Sequence, residues 1–125
     1  PTGKHRAFPI KGDSMPPIKE GSYVIGKYVE SLREIREGNT YVLLIKDEGI
    51  VYKRIFTDKD GTLVLSSDNK MYAPYKVNAE DVLEAWEYTC AINTSAYKEE
   101  ELNPESIMTM FRSLQVQIEK IKKTT

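Results

Sequence analysis

The sequence predicts a mainly β domain, compact and mostly antiparallel, followed by an added C-terminal α-helix. From residue 23 to residue 92, short apolar runs alternate with turn residues at close spacing, a pattern typical of strands joined by hairpins. After residue 103, apolar residues recur at helical spacing instead. A chain of 125 residues has room for one domain and an appendage, because domains commonly contain about 100–150 residues.

The first part of the chain is rich in residues that interrupt regular structure, and we predict an irregular segment over residues 1–20. Its prolines and glycines are Pro1, Gly3, Pro9, Gly12, Pro16 and Pro17. Residues 1–7 are interpreted as an arm or linker. Because the chain begins at Pro1 rather than at Met, we expect a further N-terminal region before it.

The domain is assigned to residues 8–92, where the apolar runs predict a series of strands. Their bounds are 23–28, 41–46, 50–56, 62–66 and 82–92. Asp and Gly residues at 46–49 and 58–61 indicate hairpin turns between them. Residues 81–87 have a composition that also suits a helix, but the β-branched and aromatic residues of this stretch favour a strand.

Residues 93–125 are interpreted as a linker and an amphipathic helix over residues 104–122. Asn103 and Pro104 predict its start, since asparagine caps free N–H groups and the first helical position needs no N–H donor. The apolar residues follow the a/d spacing of a heptad repeat: Ile107, Phe111, Leu114, Ile118 and Ile121. This stripe must be covered, and packing on the chain's own domain and pairing with a second copy remain equal alternatives.

The charge balance, the apolar runs and the cysteine and histidine content argue against several classes of protein. With 18 Lys and Arg against 19 Asp and Glu, the chain lacks the basic excess of a stand-alone nucleic-acid binder, so another segment is expected to contact any DNA. The single cysteine, Cys90, cannot form an internal disulfide, which suits a reducing cytoplasm. No run approaches the roughly 20 apolar residues of a membrane span. One histidine and one cysteine cannot furnish a usual metal site, so no metal is expected.

A candidate nucleophile lies in the motif Gly12-Asp13-Ser14-Met15-Pro16-Pro17, where a glycine and two prolines make the loop around the serine stiff. The Ser14 hydroxyl needs a base nearby before it can attack a substrate. His5 is the only histidine and lies in the predicted arm, which makes a Ser-His-Asp triad a poor explanation.

A candidate base lies in the predicted strand 50–56, which carries Lys53 and Arg54 side by side. Side chains alternate along a strand, so Lys53 shares a face with Val51 and Ile55, and Arg54 lies on the other face. Removal from water lowers a lysine pKa, which is about 10.4 in solvent, and a neutral lysine can accept the serine proton. Arginine keeps its proton and cannot substitute. The alternative is that both are ordinary surface cations that protect an edge strand.

These motifs, in this order, resemble the LexA/UmuD-type serine peptidase family, which includes the C-terminal domains of phage repressors. The resemblance spans about residues 8–86 and rests on four stretches. They are Gly-Asp-Ser-Met-Pro at 12–16, the strand after Gly21, Val-Tyr-Lys-Arg-Ile at 51–55, and Leu65-Ser66-Ser67-Asp68-Asn69 with Tyr72 and Pro74. The resemblance implies a compact, mostly antiparallel fold that dimerises.

By this resemblance, Ser14 is the nucleophile that attacks a peptide bond and Lys53 is its base. Met15 and Asp13 are assigned to the substrate cleft and the oxyanion site, with Met15 lining the cleft and backbone N–H groups of the serine loop stabilising the oxyanion. Asn69 and Tyr72 are interpreted as structural residues that hold the loop between strands. Ser–Lys chemistry needs no cofactor.

The chain departs from the family pattern at the expected cleavage site. Family members cut a small-residue bond, typically Ala-Gly, upstream of the serine, and this sequence contains no Ala-Gly pair. Three explanations remain open: the scissile bond lies in a preceding segment, the chain is itself a cleavage product, or the dyad is retained without use. The stretch after about Lys98 also extends beyond the usual end of the family domain.

The leading hypothesis is the regulatory and dimerisation domain of a bacterial or phage-type transcriptional repressor with a latent, self-cleaving Ser14–Lys53 site. We expect a cytoplasmic homodimer, because a two-fold operator requires two copies, and DNA contact through a helix-turn-helix domain absent from this chain. Two alternatives are a signal-peptidase-like Ser-Lys protease with an upstream membrane anchor, and a non-catalytic oligomerisation module.

Overall fold

The computed structural model describes residues 3–94 and 102–124, within which seven strands form one sheet. The elements are β1 (His5–Pro9), β2 (Tyr23–Val29), β3 (Thr40–Ile45), β4 (Gly49–Thr57), β5 (Leu63–Ser66), β6 (Tyr75–Val77), β7 (Val82–Ile92) and α1 (Pro104–Thr124), with 3-10 turns at Leu32–Glu34 and Ala79–Asp81. The strand order is β1-β2-β7-β3-β4-β5-β6, and all neighbours are antiparallel. The predicted fold class is therefore confirmed.

The predicted strands that became β2, β3, β4 and β5 agree with the structure to within one residue at each end. The stretch for which a helix was the alternative is a strand, β7, with the predicted bounds 82–92. It lies in the middle of the sheet between β2 and β3. Its β-branched and aromatic residues therefore indicated the right element.

Two strands, β1 and β6, were not predicted. The expectation of an irregular segment over residues 1–20 is wrong for β1, which pairs with β2 from His5↔Lys27 to Pro9↔Tyr23. β1 is an edge strand that ends on a proline, a position where a missing N–H is tolerated. β6 has only three residues, too few to show a periodicity. The predicted boundary at residue 8 falls inside β1, and the other domain limits stay a prediction.

The sheet buries apolar side chains on both faces. One face carries a core drawn mainly from the central strands: Val29, Tyr41, Leu43, Ile45, Ile55, Leu63, Leu65 and Ala85. The other face carries Phe8, Val24, Val42 and Trp86. β2 and β7 approach each other closely at Gly26, where an added Cβ would lie 2.7 Å from the Trp86 Cβ. Gly26 is therefore required by close packing.

The helix α1 is confirmed, and its first half packs on the sheet. The Asn103 side chain accepts a hydrogen bond from the Ser106 N–H at 2.8 Å, as expected of a helix cap. Ile107, Met108 and Phe111 are buried against the face of β1 and β2 that carries Ala7, Tyr23 and Ile25.

The second half of α1 projects beyond this contact. Leu114 and Ile118 are about half exposed, at 53% and 50%. The heptad stripe is therefore covered by the chain's own domain at its first two positions and uncovered at the next two. The side chain of Ile121 lies outside the described residues. Within the ranges 3–94 and 102–124, each helix is too short or too polar to cross a lipid bilayer.

Candidate active site

The loop between β1 and β2 carries Ser14, and backbone hydrogen bonds close its base. The Ile10 N–H donates to the Ser22 carbonyl at 2.9 Å, and the Gly21 N–H donates to the Ile10 carbonyl at 3.0 Å. Gly12 adopts a φ of 77°, a left-handed conformation that glycine accepts without strain. Met15 is buried, which anchors the loop immediately after the serine.

The side chain of Lys53 on β4 contacts the side chain of Ser14 in this loop. Its Nζ lies 2.9 Å from the Ser14 Oγ. Lys53 is paired with Tyr41 of β3 and shares its face with Val51 and the fully buried Ile55, as strand alternation predicts. The two residues that the sequence identified as nucleophile and base are therefore brought into hydrogen-bond contact.

Burial of the Lys53 ammonium and the groups around it have opposing effects on its pKa. Burial lowers the pKa of Lys53 below its ordinary value of 10.5, because a charged amine is less stable away from water. The carboxylate of Glu48 raises that pKa and offsets part of the lowering. The Nζ also lies 5.7 Å above the ring of Tyr72, a contact that favours the charged form.

Ser67 is a third member of the site that the sequence did not single out. Its Oγ lies 2.8 Å from the Lys53 Nζ, so the amine is held between two hydroxyls. Ser67 is only 4% exposed, although serine is usually found at the surface. The only sequence signal was its place between a strand and Asp68-Asn69, which does not show that the side chain turns inward.

Asp68 and Asn69, the two residues after Ser67, connect the loop that follows β5 to β4 and to the loop that carries Ser14. The Arg54 guanidinium donates two hydrogen bonds to the Asp68 carboxylate, each 2.8 Å long. The Asn69 N–H donates to the Ser14 carbonyl at 3.0 Å, and its amide Nδ2 donates to the Asp13 carbonyl at 3.1 Å. Residues 67–69 thus bridge the base and the nucleophile loop.

The remaining predicted residues occupy distinct places. Met15 lines the cleft beside Ser14, and its Sδ accepts a hydrogen bond from the Asp68 N–H at 3.3 Å. The Asp13 carboxylate instead accepts from the Tyr72 hydroxyl at 2.5 Å, and Asp13 lines a separate, shallow depression. Its assignment to the oxyanion site stays a prediction. His5 packs on Phe111 of α1, on the face of β1 opposite to Phe8, which lines the cleft.

A largely apolar cleft of about 700 Å³ opens beside the Ser14 hydroxyl and the Lys53 amine. It is lined by Phe8, Pro9, Ile10, Lys11, Ser14, Met15, Val42, Leu44, Glu48 and residues 49–53. β5 pairs with β4 only from Arg54 onwards. Among the described residues, no strand therefore pairs with residues 49–53 on the side away from β3.

Residues 1–86 of the chain match the family model described as Peptidase S24-like. A comparison with curated proteins finds no match. The matched range contains Ser14, Lys53 and Ser67, whereas α1 lies beyond it.

Proposed function

The chain belongs to the Peptidase S24-like family, of LexA/UmuD type, and from this premise we propose that Ser14 and Lys53 are the catalytic dyad of an endopeptidase that cuts its own chain. The observation that carries the proposal is the 2.9 Å contact between the Lys53 Nζ and the Ser14 Oγ. This distance is within hydrogen-bond reach, as a base and its nucleophile require.

The reaction begins with neutral Lys53. As the Ser14 Oγ attacks the carbonyl carbon of the scissile peptide bond, its proton passes to the Lys53 Nζ. Lys53 then gives this proton to the departing amine when the C–N bond breaks, which leaves an ester on Ser14. A water molecule then gives a proton to Lys53 as it attacks the ester carbonyl carbon. When the bond between that carbon and the Ser14 Oγ breaks, Lys53 returns the proton to the Oγ, which restores the hydroxyl and releases the new carboxyl terminus. The lowered pKa of Lys53 assists the attack by Ser14 and the attack by water, since both need the neutral amine.

Ser67 acts here as a positioning residue. A neutral amine has two N–H donors and one lone pair, and the lone pair must face the Ser14 proton. When one N–H donates to the Ser67 Oγ at 2.8 Å, rotation of the amine is restricted and the lone pair is kept on the Ser14 side. Tyr41, fully buried and paired with Lys53 across the strands, supports the stem of the lysine.

The edge of β4 at residues 49–53 supports a binding mode for the substrate. All five of these residues line the cleft, and the edge that they form away from β3 is unpaired within the described structure. An extended peptide can add to such an edge through main-chain hydrogen bonds, while its side chains enter adjacent pockets. The peptide would then pass Ser14 and Lys53, which lie at one end of this stretch.

The regulatory context is part of the same proposal. The chain is the regulatory and dimerisation domain of a bacterial or phage-type transcriptional repressor that acts in the cytoplasm as a homodimer. A helix-turn-helix domain outside this chain contacts the DNA. The family membership supports this context, and the near balance of 18 basic and 19 acidic residues supports a separate DNA-reading segment.

The test is self-cleavage of the chain together with its natural preceding sequence. Incubation between pH 7 and pH 10 should release a fragment containing Ser14, detected by mass spectrometry. Ser14→Ala and Lys53→Ala should abolish the product, and Lys53→Arg should not restore it, while Ser66→Ala serves as a matched serine control. A wild-type chain that stays intact through prolonged alkaline incubation, with oligomerisation preserved, would contradict the protease and favour an oligomerisation module.

A further inference from the structure

The cleft beside Ser14 carries two charged side chains that the proposed reaction does not use, Lys11 and Glu48. Of the other polar groups, the Tyr52 hydroxyl is already engaged, since it donates to the Thr40 Oγ1 at 2.9 Å. Most of the remaining lining is apolar. In a cleft of this kind, the few polar groups decide which ligand fits and how it is oriented.

Glu48 is held in place by its own turn and by Tyr75 of β6. Asp47 adopts a φ of 65°, and the Glu48 N–H donates to the Ile45 carbonyl at 3.1 Å, which closes the β3–β4 turn. The Tyr75 hydroxyl donates to the Glu48 Oε1 at 2.8 Å. One carboxylate oxygen is therefore anchored, and the exposed side chain keeps the other for a partner outside the chain.

The Glu48 carboxylate has no ion-pair partner in the described part of its own chain. The ion pairs Arg54–Asp68 and Lys76–Asp58 do not involve Glu48. Its charge does reach Lys53, but the proposed reaction requires Lys53 to be neutral. A carboxylate that forms no ion pair with a described residue, at the wall of a largely apolar cleft, attracts a cation carried by the substrate.

We propose that Glu48 is a specificity-determining residue that selects peptides carrying a Lys or Arg side chain near the scissile bond. The proposal rests on the proposed function, because it names the class of peptide that the Ser14–Lys53 site takes. A strand advances about 3.3 Å per residue, so an extended peptide lying along residues 49–53 reaches Glu48 within about four residues of the cut bond.

Binding tests this selection without any cleavage. The probes are capped hexapeptides of alternating Ala and Val that carry one Lys, Gln or Glu at each position in turn. They are titrated by NMR into the full chain with Ser14→Ala. For the best position, we expect the Lys peptide to bind at least about fivefold more tightly than the Glu peptide at low salt, with a smaller ratio at high salt. Glu48→Gln should reduce the ratio to near one, and Glu48→Lys should invert it.

Two variants and a second assay complete the test. Glu80→Gln removes a carboxylate outside the cleft and should leave the ratio unchanged. Tyr75→Phe keeps the Glu48 charge and should retain the preference. In the second assay, Lys, Gln or Glu replaces each residue within four of the mapped self-cleavage bond, and Lys should give the fastest cleavage at one of them.

Equal affinity of the wild-type cleft for the Lys and Glu peptides, or an unchanged preference in Glu48→Gln, would overturn the inference. A chain that binds the Lys peptide selectively but never cuts itself would contradict the proposed function alone. The two failures are therefore distinguishable.

Discussion

The guanidinium of Arg54 faces the carboxylate of Asp68 through two parallel hydrogen bonds, each 2.8 Å long. The preceding residues of the two segments, Lys53 and Ser67, form the amine–hydroxyl contact of the candidate site. The ion pair therefore holds β4 against the loop that follows β5, directly beside the contact between Lys53 and Ser67. A third Arg54 bond, 2.5 Å to the Gly38 carbonyl, holds the guanidinium from the other side.

Asp68→Asn should lower the free energy of unfolding by about 1 kcal/mol at pH 7, because the pair is about one-third exposed and solvent screens part of its attraction. The Arg54 bonds hold the pKa of Asp68 below its ordinary value of 3.8. This stabilisation is therefore present above pH 3.8 and is lost as the pH falls through the lower pKa of the folded state. Urea unfolding at pH 7, 5 and 3 measures it.

Asp47→Asn is the matched control for this experiment, since it removes a carboxylate at a φ of 65° that asparagine also accepts. We expect it to leave stability nearly unchanged across the same pH range. A difference between wild type and Asp68→Asn that stays constant into the acid range would show that the ion pair is not its source.

The rate of self-cleavage should rise with pH and reach half its maximum below pH 10.5, since the neutral fraction of Lys53 increases through its lowered pKa. Glu48→Gln should move the rise to lower pH, because it removes the negative charge that favours the ammonium form. Cleavage rates from pH 6 to pH 11, with folding monitored by circular dichroism, give both profiles. A rise centred at the same pH in both chains would contradict the influence of Glu48 on Lys53.

Ser67→Ala should slow self-cleavage by about 10- to 100-fold, a range typical of a reacting group that is displaced by about 1 Å. The physical reason is the loss of the 2.8 Å bond that orients the Lys53 amine. Single-turnover rates measure the effect, and Ser66→Ala controls for loss of a neighbouring hydroxyl. Cleavage at the wild-type rate, with the wild-type pH profile, would remove Ser67 from the mechanism.

Phe111→Ala in α1 should lower the free energy of unfolding by about 3–5 kcal/mol, as expected for a buried aromatic side chain. Leu114→Ala should cost about 0.5 kcal/mol or less in the monomer, because its side chain is 53% exposed. Urea unfolding gives both values. A large loss for Leu114→Ala, together with a smaller mass in sedimentation, would instead show that this half of the stripe pairs with a second copy.

Gly26→Ala should destabilise the fold by about 1–3 kcal/mol, the range for overpacked sites. An added Cβ would lie 2.7 Å from the Trp86 Cβ, which is attached directly to the backbone of β7, so β2 and β7 would have to move apart and the indole would be displaced from its contacts with Phe8 and Tyr28. Thermal unfolding and tryptophan fluorescence report the change. Gly61→Ala is not a matched control, since Gly61 has a φ of 84° and would add backbone strain.

The sequence predicted elements and contacts that depend on local patterns. Alternation along β4 placed Lys53 on the face of Val51 and Ile55, and the β-branched and aromatic residues of 82–92 favoured a strand over a helix. Both signals lie within one segment. The spacing of apolar residues in α1 and the Asn103 cap are local in the same way.

The parts that were not predicted depend on contacts between distant segments. Ser67 lies 14 residues from Lys53 along the chain, and only the pairing of β4 with β5 brings them together. β1 is regular because β2 offers it an edge, although its own residues read as a linker. The apolar stripe of α1 changes from buried to exposed at Leu114. The point of this change depends on where β1 and β2 end beneath the helix, and a heptad pattern carries no information about that.

Ala7 and Phe8 are adjacent on β1, yet Ala7 packs beneath α1 while Phe8 forms a wall of the cleft. The edge strand β1 therefore contributes both to the contact with α1 and to the wall of the cleft, which lie on opposite sides of the sheet. Any sliding of β1 along β2 by one residue would exchange these two side chains. In that register α1 would contact the ring of Phe8, and the substrate would contact the methyl group of Ala7. The register of the five residues of β1 therefore determines both the packing of α1 and the shape of the cleft.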